Sequence, residues 1–114
     1  MPIPNLPSKV YHGTDEQSGI SIRQGGLDEA EWRVAGGSAG VDEKGFSVTT
    51  DRSIAVIWAR FRAVQRGGDA EGLVLEADTS GLPLQQGGTG QWTDPAELFI
   101  APEDFAVVGP GIFQ

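Results

Sequence analysis

This chain offers few side chains for chemistry. It has one histidine, His12, and no cysteine. Disulfides and thiolate metal sites are therefore excluded, and too few ligands remain for a zinc site, so no metal is expected. What is left is carboxylates, one imidazole and the faces of aromatic rings. Three islands carry these groups in order. The first is Tyr11-His12-Gly13-Thr14. The second is Gly45-Phe46-Ser47-Val48-Thr49-Thr50-Asp51, followed by Trp58, thirteen residues after its glycine. The third is Glu97, which follows a Gly-rich stretch and precedes Leu98-Phe99-Ile100. Each has a bland reading alone. His12 can be an ordinary hydrogen-bonded strand histidine, Trp58 a core aromatic, and Glu97 one of sixteen acids at the surface. The set, in this order, is far rarer than any member.

The elements that must position these residues follow from periodicity. Val10 to Thr14 reads as a short strand ending in a Gly turn, and a brief helix is expected over 16–24, closed by Gly25-Gly26. Residues 35–44 read as a loop. Gly45 to Thr50 is β-branched and aromatic, a strand, and Asp51 is a suitable N-cap for the next helix. There Ile54, Ile57, Trp58, Phe61 and Val64 recur at helical spacing and predict one apolar, core-facing stripe. Leu73 to Asp78 is the next strand, with a turn at Thr79-Ser80-Gly81. Residues 85–95 form a second Gly-rich loop. Leu98-Phe99-Ile100 and Phe105-Ala106-Val107-Val108 suggest a terminal strand pair. The pattern lacks βαβ alternation and predicts an α+β fold, with mainly antiparallel or mixed strands and two short helices.

Length and charge set outer bounds. The 114 residues fit one domain, 1–114, with 1–8 as a proline-rich extended lead-in. No apolar run approaches the roughly 20 residues of a membrane span, and residues 1–7 lack the basic and apolar regions of a secretory signal. A cytoplasmic setting, in the producing or a target cell, is the expectation. The formal charge of −8 disfavours a general nucleic-acid binder, and an anionic ligand would need a local cation cluster. Arg52, Arg60, Arg62 and Arg66 are the candidates, although such a group is more often a solvated helix face.

From about residue 10 onward the chain resembles the diphtheria-toxin-like, His-Tyr-Tyr-Glu class of ADP-ribosyltransferases. Tyr11-His12-Gly13-Thr14 matches that class's first motif residue for residue, and Gly45-Phe46 matches its second. Without a gap, Ser47 falls on the first family tyrosine and Trp58 on the second. Leu73 to Leu82 is similar to the strand and turn that follow, and Glu97 falls on the catalytic glutamate. The resemblance implies NAD as substrate. Cleaving its nicotinamide–ribose bond develops positive charge on the ribose, as in glycoside cleavage. Glu97 would hydrogen-bond the ribose 2′-hydroxyl and stabilise that charge in the transition state. His12 would hold the adenosine ribose, and the backbone of Gly13 would clasp the nicotinamide carboxamide, with Thr14 beside it in the motif. Trp58 would offer its face to the cationic ring, and Thr49, two residues from Ser47, would line the same pocket.

Two departures stand out. Ser47 cannot stack, so another aromatic, Trp32 or Trp92, would have to close the pocket. Pro95 occupies the place where arginine-modifying relatives of the wider superfamily keep Gln or Glu, which argues against arginine as acceptor. The implied function is transfer of ADP-ribose from NAD to a macromolecule, protein before nucleic acid, by a bacterial toxin or effector domain. The Trp92 loop is the candidate acceptor contact, and a toxin would be partnered by a cognate immunity or antitoxin protein. Two alternatives use the same pocket: an NAD glycohydrolase, and a non-catalytic NAD or ADP-ribose-binding module.

Overall fold

The computed structural model describes residues 6–35, 45–66, 71–86 and 97–114. In chain order these form β1 (Lys9–Thr14), α1 (Glu16–Gly25), α2 (Glu29–Ala35), β2 (Phe46–Thr49), α3 (Arg52–Arg66), β3 (Leu73–Asp78), β4 (Leu84–Gln86), β5 (Glu97–Ile100) and a 3-10 helix (Pro102–Val107). The strands make one sheet in the order β3-β1-β2-β5-β4, and every pairing is antiparallel. The α+β class expected from the sequence is observed, with an antiparallel rather than mixed sheet.

Alternation along the strands gives the sheet two unlike faces. Val10, Phe46, Val48, Leu75, Ala77, Leu98 and Ile100 build the main core on one face, joined by Phe105, Val108 and Phe113 from the C-terminal segment. The last residue also ties down the sheet: the backbones of Gln114 and Glu76 exchange two hydrogen bonds of 2.8 Å. Caps define the helix starts. Asp15 accepts from the Ser18 N–H at 3.1 Å to begin α1, and Asp51 accepts from the Ser53 N–H at 3.0 Å to begin α3.

Three sequence expectations are corrected. The run Phe105 to Val108 is not a strand. Pro102 sits in the first turn of a 3-10 helix there, and burial of Phe105 and Val108 with Ala106 and Val107 exposed has a period of three, not two. The helices number more than two. Asp28 accepts from the Glu31 N–H at 3.0 Å and starts α2, and β4, which pairs with β5, takes in the first two residues of the stretch expected to be loop.

The largest correction concerns α3. Most of its expected core stripe is turned outward: Ile57 is 64% exposed, Phe61 54% and Val64 75%, while Ile54 and Trp58 are half-buried. The buried face is Ala55, Ala59 and Ala63. Two glycines explain the choice. A Cβ on Gly13 of β1 would lie 1.7 Å from the Ala55 carbonyl oxygen, and one on Gly72 would lie 2.4 Å from that of Ala59. The helix therefore sits so close to the sheet that only its alanine face fits beneath it.

Candidate active site

Sheet register decides which candidate residues meet. Tyr11 of β1 and Glu97 of β5 are both the pairing partners of Thr49 on β2, and Tyr11 also pairs with Glu76 on β3. Directly opposed residues share a face. Glu76, Tyr11, Thr49 and Glu97 thus form one row on the face opposite the main core. Exposure falls along this row. Glu76 is exposed, Tyr11 half-buried, Thr49 fully buried and Glu97 only 2% exposed.

Asp15 and Glu97 are the buried acids among the described residues. The Asp15 carboxylate is accounted for, since it caps α1 and accepts from the Thr14 hydroxyl at 3.2 Å. Glu97 begins β5 and is buried there. Removing a carboxylate from water costs several kcal/mol before compensation, and proteins concentrate such costs at functional sites. The bland reading of Glu97 as a surface acid does not describe where it lies.

Thr49 does two jobs. Its side chain lies in the row with Glu97, and its hydroxyl accepts the Asp51 N–H at 3.1 Å, closing the turn from β2 into α3. Ser47 shares this face by alternation and is 5% exposed, opposite Phe99. Gly13 shares it too. The missing Cβ of Gly13, read from the sequence as room for a ligand, is the seat of α3.

His12 is brought near by a different device. β1 and β2 pair at Tyr11 and Thr49 and no further, although β1 pairs with β3 along all six residues. Where the ladder stops, the His12 ring enters the split. Its Nδ1 lies 2.6 Å from the Ser47 carbonyl oxygen, an acceptor, so Nδ1 carries the proton and donates. In the neutral ring that leaves Nε2 as the acceptor edge. Phe46 stacks on the imidazole at 4.0 Å between centroids, and Trp58 meets it edge-on at 6.4 Å. Alternation starts the His12 side chain on the core face, so it reaches the Glu97 side only through the split. Two interstrand spacings, about 10 Å, separate its backbone from that of Glu97.

Other candidates fall elsewhere. Thr14 hydrogen-bonds the α1 cap. Trp32 packs edge-on against Phe105 at 5.7 Å and belongs with the main core, so it does not close a pocket beside Ser47. Trp92 and Pro95 lie outside the described residues. Arg60 is exposed on the outer side of α3, away from the row, and Arg62 hydrogen-bonds along the helix to Gln65 at 3.5 Å. Among the described residues no three His, Cys, Asp or Glu come together as a metal-ligand group, and no helix is long and apolar enough to cross a membrane.

Phe46 belongs to the second motif read from the sequence, but its stacking on the His12 ring has no counterpart in that reading. Its position against His12 is a tertiary fact, and only the aromatic type hinted at it. Comparison with protein-family models, with curated proteins and with solved structures finds no match for this chain.

Proposed function

We propose that this chain is an NAD-dependent mono-ADP-ribosyltransferase with Glu97 as its catalytic carboxylate. The observation that supports it most is the burial of Glu97 at the start of β5, in one row with Thr49 and Tyr11. On this reading the bond from the ribose C1′ to the nicotinamide nitrogen breaks with its electron pair leaving on nicotinamide. A nucleophile of the acceptor then bonds to C1′ and gives up its proton. Glu97 holds the ribose 2′-hydroxyl and stabilises the cationic sugar through a charge already in place. The dinucleotide would then lie beside β1, with Nε2 of His12 accepting from the adenosine ribose and Trp58 facing the nicotinamide. Ser47 leaves one side of the nicotinamide ring without an aromatic wall from β2.

Labelled NAD, incubated with the protein in the presence and absence of cell lysate, tests the proposal. Label transferred to protein supports transfer to a protein acceptor, with release of nicotinamide. Free ADP-ribose alone replaces it with the glycohydrolase. Binding of NAD without turnover leaves a nucleotide-binding module. A bacterial toxin or effector role, with an immunity protein as partner, belongs to this same proposal.

A further inference from the structure

The outward stripe of α3 is the feature that neither the fold nor the candidate site uses. Ile57, Phe61 and Val64 follow one another at i, i+4 and i+7, so they form a continuous ridge on the side away from the sheet. Arg60 stands one turn from both Ile57 and Val64 and is exposed beside that ridge. The charge of the helix is as unusual as its exposure. Half of the chain's eight cations, Arg52, Arg60, Arg62 and Arg66, lie on α3, which contains no acid, while the whole chain carries −8. A helix fifteen residues long is about 22 Å from end to end, a length that a single partner helix can follow.

We propose that this face of α3 docks an acidic amphipathic helix of another protein. The partner's apolar side chains, at helical spacing, would cover Ile57, Phe61 and Val64, and its flanking carboxylates would meet Arg60 and its neighbours. A closed dimer through this face sets one arginine-bearing helix against its own copy, so like charges oppose it. A head-to-tail copy would satisfy the charges but leaves an open-ended chain of molecules. An anionic lipid surface would attract the helix and repel the acidic body behind it. The partner helix is local enough to meet α3 and little else. None of this depends on the ADP-ribosyltransferase reading.

The test uses the full chain and two fluorescent synthetic helices of about five turns. Both carry one leucine stripe, flanked by glutamates in one peptide and by lysines in the other. The glutamate peptide should bind at least tenfold more tightly by anisotropy and weaken as salt is raised. Phe61→Glu and, separately, Arg60→Glu should each weaken it tenfold or more while the thermal midpoint stays unchanged, because both side chains point away from the core. Equal affinity for the two peptides, or wild-type affinity in Phe61→Glu, overturns the proposal. So does a wild-type dimer in sedimentation that Phe61→Glu dissolves, or flotation with phosphatidylserine vesicles that Phe61→Glu abolishes.

Discussion

Gly13→Ala adds a single methyl group to β1, and its consequence can be worked from the packing of α3. The new carbon would stand 1.7 Å from the Ala55 carbonyl oxygen and 2.7 Å from both the Ala55 carbonyl carbon and the Ala59 nitrogen. Comfortable contact is about 3.5 Å, so a gap of nearly 2 Å must open. All three obstructing atoms are helix backbone, which no rotamer change can move aside. Either α3 lifts from the sheet or β1 bends away from β3. A lift of even 1 Å forfeits about half of the dispersion energy along the seam of Ala55, Ala59 and Ala63. Overpacking ordinarily costs about 1–3 kcal/mol, and the unyielding neighbours put this case at the top of that range or beyond. A domain of this size has a total stability on the order of 6–17 kcal/mol. At roughly 4 °C per kcal/mol, the midpoint should fall by about 12 °C or more. Thermal unfolding followed by far-UV circular dichroism measures it. A midpoint within 3 °C of wild type would refute the reasoning. Rescue by Ala55→Gly would refute it as well, because the clash is with the carbonyl and not with the alanine methyl.

Four further outcomes are expected. Glu97→Gln should lower turnover of NAD about 10²–10³-fold, the worth of one preorganised charge of about 3–4 kcal/mol, with the NAD dissociation constant little changed; activity within tenfold of wild type would mean another group does this work. His12→Asn keeps a donor where Nδ1 meets the Ser47 carbonyl and loses Nε2. It should therefore retain more stability than His12→Ala yet raise the KM for NAD with a smaller effect on kcat, and an unchanged KM counts against a role for His12 in holding the ribose. Ser47→Tyr should destabilise the fold by about 1–3 kcal/mol, since Ser47 is buried opposite Phe99, and tighter NAD binding with an undiminished midpoint would contradict that. The Asp51 carboxyl is held below its ordinary value of 3.8 by hydrogen bonds from the Ser53 hydroxyl and N–H. A depressed folded value means that its contribution is complete above about pH 4 and is lost as the pH falls through the folded value. The wild type should therefore lose its advantage over Asp51→Ala as the pH falls below about 4, and a difference that stays flat on acidification would show that the cap does not operate through its charge.

Much of the fold is readable from local signals, and the rest fails for nameable reasons. β1, α1, β2, α3 and β3 fall close to where cap residues, glycines and period place them. α2 has a local signal of its own, since Asp28-Glu29-Ala30-Glu31 has the spacing of a capping box before an apolar tryptophan. The facing of α3 is not decided by periodicity, because two stripes share the helical period. Ile54, Ile57, Phe61 and Val64 outweigh Ala55, Ala59 and Ala63 in hydrophobicity, but Gly13 and Gly72 admit only the smaller set. Alanines at i, i+4 and i+8, with glycines in the adjoining strand segments, were the available clue. Glu97 could be singled out by its position before an apolar strand. Its pairing with Thr49 could not, since register between segments 48 residues apart belongs to the assembled sheet.

The split between β1 and β2 also has a physical logic that links fold to site. Two adjacent strands in mid-sheet ordinarily continue their ladder, and each hydrogen bond forgone costs about 0.5–1.5 kcal/mol. Here the ladder ends after Tyr11 and Thr49, and an imidazole donor takes the Ser47 carbonyl instead. Two anchors hold the strands apart at that point. α3 leaves β2 through the tight Thr49–Asp51 turn and clamps onto β1 at Gly13, while the His12 ring is fixed between Phe46 and Trp58. A structure selected only for stability would zip these strands together. Here the parted strands instead make room for the imidazole and its two aromatic neighbours, so β1 and β2 hold a side-chain cluster where a ladder would otherwise run.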